Sequence, residues 1–217
     1  MLIEIKDNLF QLLPHKAILW QNTKTLLIAD LHLGKVTHFR KEGIAVPAAS
    51  IHNNFARLDD MINNHEVQRI IFLGDLFHNR YNAEWDLFMD WRMKYSQIEM
   101  CIVPGNHDVL PQIHFDHGMI KVLDDFYREG NFMFTHHPFP TPPDDVFTFC
   151  GHVHPIFTLH AKGLQRIKLH CFVFDALQAI LPSFGVFTGG FRMQKISERN
   201  IYVVADDKII AIHQDKE

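Results

Sequence analysis

The sequence predicts an α/β (α+β) protein in which two β-sheets pack together with helices outside. Three observations support this expectation. Apolar, β-rich runs at 25–30 (TLLIAD), 69–75 (RIIFLGD) and 98–108 (IEMCIVPGNHD) alternate with helix-length segments, and such alternation argues for a partly parallel sheet. The chain opens and closes instead on short β-rich stretches without helical periodicity between them. Finally, 217 residues that are 47% hydrophobic suit one large core better than two small ones, so residues 1–217 are expected to form a single domain.

Taken in order, residues 2–5, 9–13 and 17–20 read as strands separated by turns at Lys6-Asp7-Asn8 and Pro14-His15, a β-meander. TLLIAD follows as the next strand. Ile51, Phe55, Leu58 and Ile62 then recur at spacings of 4, 3 and 4, marking one apolar face of a helix. Pro47 sits near its start, where a missing N–H costs little. After RIIFLGD, Asn82 can cap a helix with Glu84 and Asp86 in its first turn and an apolar face through Trp85, Met89 and Trp91. FMFTHH (132–137) and the FTFCGHVH run ending at 154 are again apolar strands closing on polar residues. Beyond 155, segments 166–174, 184–188, 201–205 and 208–212 read as β. No repeat, low-complexity tract or linker interrupts the chain.

Composition excludes several classes. Ordinary charge (21%) and aromatic content (12%) argue against disorder, and a net charge of −4 gives no sign of a protein that grips nucleic acid by its field alone. Two bound divalent cations would bring that sum to zero. MLIEIKDN lacks the apolar stretch of a signal peptide, and no apolar run approaches the roughly 18–20 residues of a membrane span. Cys101, Cys150 and Cys171 form no CxxC, which fits buried thiols in a reducing cytoplasm. The unusual number is sixteen histidines, a count consistent with metal binding.

Those histidines are not scattered. Asp30, Asp75, Asn106, His136 and His152 each fall at the end of an apolar run, and ligands of open α/β sheets gather at the carboxyl ends of strands. Asp30-Leu31-His32 and His152-Val153-His154 each place two donors two residues apart, on one face of an extended segment. Asp30, His32, Asp75, Asn106, His136, His152 and His154 thus make seven candidate ligands of mixed N/O type, suited to manganese, iron or zinc. Two ions sharing a bridging carboxylate would use them all. A pair about 3.5–4 Å apart activates a bridging water as hydroxide for in-line displacement at phosphorus. If residues 136 and 137 are extended, their imidazoles point to opposite faces and only one can be a ligand.

The ordered set D-x-H, G-D, G-N-H-D, H and G-H-x-H, spread from residue 30 to 154, resembles the calcineurin-like metallophosphoesterase superfamily. The resemblance implies a four-layer αββα sandwich of two mixed β-sheets flanked by helices. It implies Asp30, His32 and His154 at one metal, Asn106, His136 and His152 at the other, and Asp75 as bridge. It favours His136 over His137. His107 would protonate the leaving group and Asp108 would orient its imidazole. A narrower likeness lies in ADLHLGKVTHFRKEGIAVP (29–47), GDLFHNRYNAEWDLFMDWR (74–92), GHVHP (151–155) and LPSFGVFTGG (181–190). These resemble the bacterial ligase-associated DNA damage response endonuclease family (PdeM), with Ala45 standing where proline is expected. That likeness implies a phosphodiesterase or endonuclease acting on DNA with two divalent ions, manganese first. It also implies association with an ATP-dependent DNA ligase and a helicase in repair.

Other residues have two readings. His78 either lines the phosphate pocket or is a surface histidine after a strand. Lys35, His38, Arg40 and Arg80 either touch phosphate or sit in solvated loops. Trp85, Phe88 and Trp91 read as helix packing before a base-stacking platform. The competing functions are a phosphomonoesterase or small-molecule diesterase, and a non-catalytic scaffold on the same fold.

Overall fold

Both ends of the chain contribute to one face-to-face stack of sheets. The computed structural model describes residues 1–47, 49–78, 82–160 and 166–212. The first sheet runs, in sequence and in space, through β1 (Leu2–Ile5), β2 (Asn8–Leu13), β3 (Ala17–Trp20), β4 (Thr25–Ile28), β5 (Arg69–Leu73), β6 (Glu99–Val103) and β7 (Ile120–Val122). Its first four strands are antiparallel, joined by short turns. From β4 onward pairing is parallel, because helices cross between the strands.

The second sheet holds β8 (Phe126–Glu129), β9 (Phe132–Thr135), β10 (Phe147–Cys150), β11 (Pro155–His160), β12 (Arg166–Phe174), β13 (Gln178–Ile180), β14 (Phe191–Arg192), β15 (Asn200–Ala205) and β16 (Lys208–Ile212). Its order is β14-β11-β12-β13-β10-β9-β8, with β15 pairing β12 and β16. Pairing is mixed, parallel for β9-β10-β13 and β11-β14 and antiparallel elsewhere.

Two cores follow from the period-2 split of the central strands. Leu26, Ile28, Ile70 and Phe72 face the helices, where they meet Phe55, Leu58, Trp85, Phe88 and Trp91. Leu27, Ala29, Ile71 and Leu73 face the second sheet, meeting Phe132, Phe134, Phe149 and Phe172. With both faces buried, β4 and β5 are continuous apolar runs rather than alternating ones. Each buried Phe contributes about 2–3 kcal/mol of transfer free energy. A smaller cluster of Cys150, Cys171, Val173, Met193 and Ile201 closes the other side of the second sheet.

Four α-helices are described: α1 (Lys35–Lys41), α2 (Ala49–Asn64), α3 (Ala83–Lys94) and α4 (Gln112–His117). Of the expected apolar faces of α2 and α3, Phe55, Leu58, Trp85 and Trp91 are buried and Ile51, Ile62 and Met89 partly so, and Asn82 accepts from Glu84 N at 2.9 Å as the expected cap. Helix α1 lies where a loop had been one reading. Segment 184–188, expected as a strand, is a loop. Its amides bond to the exit of β4, Phe184 N to Ala29 O (2.8 Å) and Gly185 N to Asp30 O (3.1 Å), so it joins no ladder.

Candidate metal centre

The site forms where β4, β5, β6, β9 and β10 release the chain. Asp30 and His32 follow β4, Asp75 follows β5, Asn106 follows β6, His136 follows β9, and His152 and His154 follow β10. Asp30, His32, Asp75 and His136 are almost completely buried. His154 Nε2 lies 3.2 Å from Asp30 Oδ1. Asp75 Oδ2 stands between His32 Nε2 (3.6 Å) and His136 Nε2 (3.7 Å). Donor atoms of Asp30, His32 and His154 gather within 4.8 Å of one another, as do those of Asp30, Asp75 and His136, and of His136, His137 and His152.

The backbone differs from the extended segments expected. Asp30, His32, Asp75, His152 and His154, five of the seven candidate ligands, have φ between 49° and 68°. Left-handed conformations of this kind are costly for residues with a Cβ, and persist where surrounding contacts enforce them. Here the enforcement is visible. His32 N donates to Asp75 O (2.8 Å), Asp30 N to Gly74 O (3.2 Å) and Gly151 N to His136 O (3.0 Å), which ties the strand exits together. Glycine next to a ligand permits the close approach. A Cβ on Gly105 would lie 2.4 Å from Asp75 Oδ1, and one on Gly151 2.6 Å from Asp30 Oδ2.

Two histidines have their tautomer set by a carbonyl. His136 Nδ1 donates to Leu73 O (2.9 Å) and His154 Nδ1 to Thr188 O (3.0 Å), which turns each Nε2 inward, that of His136 to His152 Nδ1 (3.1 Å) and that of His154 to Asp30 Oδ1. Burial opposes a charge on His154, yet the bonded Asp30 carboxylate holds its pKa above the usual value. His32 is buried with neither ring nitrogen hydrogen-bonded, and burial, then Lys35 and neighbouring imidazoles, push its pKa down to about 2. A neutral, orphaned imidazole facing two buried carboxylates fits divalent cations. The residues present therefore suit the two-ion group.

Loop 104–108 closes over Asp75. His107 N donates to Asp75 Oδ1 at 2.9 Å, and Asn106, exposed, precedes it. Asp108 has other partners in the structure than the His107 ring. Its carboxylate accepts from Gly105 N (2.9 Å) and Phe77 N (3.1 Å), and no hydrogen bond joins it to the His107 ring among the described residues. Asp108 pins the loop that presents His107. Burial, against those amide bonds, raises its pKa to about 6. His78 lies beside these residues: its ring stands 4.9 Å from His107 and 5.4 Å from His32, and its donor atom groups with theirs. Burial first, then Lys35, lowers its pKa to about 4.

Lys35, at the start of α1, interacts with Asp75 and Asp30, although burial outweighs them and lowers its pKa. Arg40 is exposed and lines a surface recess with residues 43–47. Arg80 lies outside the described residues. His137 also departs from expectation. Strand β9 ends at Thr135, so alternation no longer governs the next two side chains. The His137 ring lies 4.2 Å from that of His152 and 4.7 Å from that of His136, on the exposed side of the same cluster.

Sequence reasoning missed the supports. Buried Glu84, read only as a first-turn acid, accepts from Gly34 N (2.6 Å), Thr37 N (2.9 Å) and Thr37 Oγ1 (2.7 Å), which anchors α1. Lys16 Nζ donates to Gly185 O (3.2 Å) and Arg57 Nη1 to Phe184 O (2.8 Å), holding loop 181–190 against Asp30. The cue was LPSFGVFTGG itself, a distinctive motif without ligands.

Residues 23–185 match the calcineurin-like phosphoesterase family. The chain belongs to that family. This calcineurin-like phosphoesterase is also similar to a Pseudomonas putida nuclease, MPE, in its crystal structure, with 31% identity over 98% of this chain and 99% of that one and a TM-score of 0.83. The likeness is consistent with the PdeM-type endonucleases. No curated protein matches the chain. The phosphoesterase is a hydrolase acting on phosphoester bonds, and its family implies a pair of divalent metal ions. No described helix is long and apolar enough to cross a membrane.

Proposed function

We propose that this phosphoesterase is a nuclease that hydrolyses phosphodiester bonds of DNA, in a repair setting shared with an ATP-dependent DNA ligase and a helicase. The observation that carries the reading is the pair of buried carboxylates, Asp30 and Asp75, ringed by His32, His136, His152 and His154 at converging strand ends. The likeness to a nuclease along nearly the whole chain supports the choice of substrate. Asp30, His32 and His154 would hold one ion and Asn106, His136 and His152 the other, with Asp75 shared. Two bound divalent ions, manganese by preference, supply a nucleophile at neutral pH and neutralise charge on the phosphoryl oxygens.

The chain's own residues do the rest. Leu73 O and Thr188 O orient the rings of His136 and His154 with Nε2 toward the cluster, and the Asp108 carboxylate fixes loop 104–108. His107, half-buried above His32 and His78, donates a proton to the leaving oxygen. Lys35 meets the anionic substrate at the same mouth.

The test is hydrolysis of bis- and mono-p-nitrophenyl phosphate with added manganese, followed by nicking of single-stranded and duplex DNA. Diester and DNA cleavage are expected, and His107→Ala should keep its metals while losing roughly 100-fold or more in turnover. Cleavage of monoesters alone would favour a phosphomonoesterase, and wild-type turnover by His107→Ala would remove the acid from that residue.

A further inference from the structure

Loop 181–190 does more than brace the ligands. Thr188 O holds His154, and Phe191 N donates to His154 O at 3.0 Å, so residues 187–191 form one wall of the metal mouth. Two phenylalanines stand on this wall, Phe187 with 48% and Phe191 with 64% of its surface exposed. Neither ring contacts another aromatic ring among the described residues.

A single exposed Phe is ordinary. Phe187 is not, because its φ is +60°. Glycine could occupy that conformation without strain, yet the chain places a bulky aromatic there, about 3.8 Å along the backbone from the residue that orients His154. Strained backbone beside a reacting centre points to a use for the side chain it presents. Phe191 begins the short edge strand β14, in register with Pro155, and exposed Arg192 follows it. Exposed aromatic faces are what single-strand recognition uses, since bases stack on them.

We propose that Phe187 and Phe191 form a stacking platform for a nucleobase flanking the scissile phosphodiester. This rests on the nuclease reading above. It makes single-stranded nucleic acid, whose bases are free to stack, the substrate form best suited to the site. In duplex substrates the platform is used at frayed or unpaired positions.

The experiment compares a single-stranded oligodeoxynucleotide with one of equal length built from tetrahydrofuran abasic residues, using wild type, Phe187→Ala, Phe191→Ala and Phe187→Tyr. Wild type should show a lower KM for the base-bearing strand. Each alanine variant should raise that KM by roughly 5- to 150-fold. The same variants should raise the abasic KM far less, and Phe187→Tyr should restore tight binding. Phe187→Gly, which relieves the positive φ, should behave like the alanine variant. Equal losses on both strands would mean that Phe187 acts by placing Thr188 and His154, and would overturn the platform. So would wild-type KM values in the alanine variants, or equal wild-type KM for the two strands. A wild type that cleaves bis-p-nitrophenyl phosphate but no oligonucleotide would instead bring down the nuclease reading itself.

Discussion

Gly185→Ala isolates what loop 181–190 does for the site. A Cβ at Gly185 would lie 2.3 Å from Leu31 O and 3.2 Å from Asp30 O, against the 3.0 Å that real Cβ contacts do not undercut. The obstacle is backbone, flanked by the candidate ligands Asp30 and His32, so no rotamer change relieves it. Either the loop lifts or the ligand segment shifts. Lifting stretches two hydrogen bonds, Gly185 N to Asp30 O and Lys16 Nζ to Gly185 O. At about 1 kcal/mol each, with about 1–2 kcal/mol of overpacking, the cost comes to roughly 3–4 kcal/mol. For a chain of this size that is a fall of roughly 5–15 °C in melting temperature. Thr188 moves with the loop, so His154 loses its orientation and diester turnover falls too. Gly189→Ala is the control in the same loop: nothing lies within 4 Å of its Cβ, and only its φ of +73° is unfavourable. It should cost about 1 kcal/mol and leave turnover close to wild type. Calorimetry and bis-p-nitrophenyl phosphate kinetics on both variants decide the matter. Equal behaviour of the two variants, or a wild-type Gly185→Ala, would refute the idea that the loop is wedged against the ligand segment.

Other expectations follow from single groups. Glu84→Gln turns an acceptor of three hydrogen bonds into a partial donor facing N–H groups. It should cost about 2–3 kcal/mol in a melt and raise KM by loosening Lys35, and an unchanged melting temperature would contradict the anchor. Burial, then Arg57, lowers the Lys16 pKa to about 7 from 10.5. The unfolded chain therefore binds more protons between those values, and stability should rise with pH from about 7 to about 10. Urea melts of Lys16→Met should lose that slope and show more stability than wild type near pH 6, by roughly 2–4 kcal/mol; a persisting slope would exclude Lys16 as its source. Removing divalent ions with a chelator should lower the melting temperature, because Asp30 and Asp75 are then buried with less compensation; restored manganese at 100 times its Kd returns about 2.7 kcal/mol. No change on chelation would argue against ions at these residues.

Much of the fold and of the candidate site was legible because the signals are local. Donor types at the ends of apolar runs mark where strands release the chain, and a 3.6-residue rhythm exposes the buried faces of α2 and α3. What escaped reading was set by partners distant in sequence. Segment 184–188 has the composition of a strand, but its amides are taken by Ala29 and Asp30, more than 150 residues earlier. His137 looked diverted by alternation, which stops applying once β9 ends at Thr135. Asp108 looked like a partner for its neighbour His107, whereas Phe77 and Gly105 claim both of its oxygens.

The sequence by itself determined the two-sheet architecture, the seven candidate metal ligands and their order along the chain, since residue type and periodicity are written locally. Tertiary structure alone decided that five of those candidate ligands sit on left-handed backbone, that two carbonyls set imidazole tautomers, and that a late loop brings Thr188 O to His154. Those features depend on which groups meet across the stacked sheets, and a positive φ holds only where such contacts outweigh its cost.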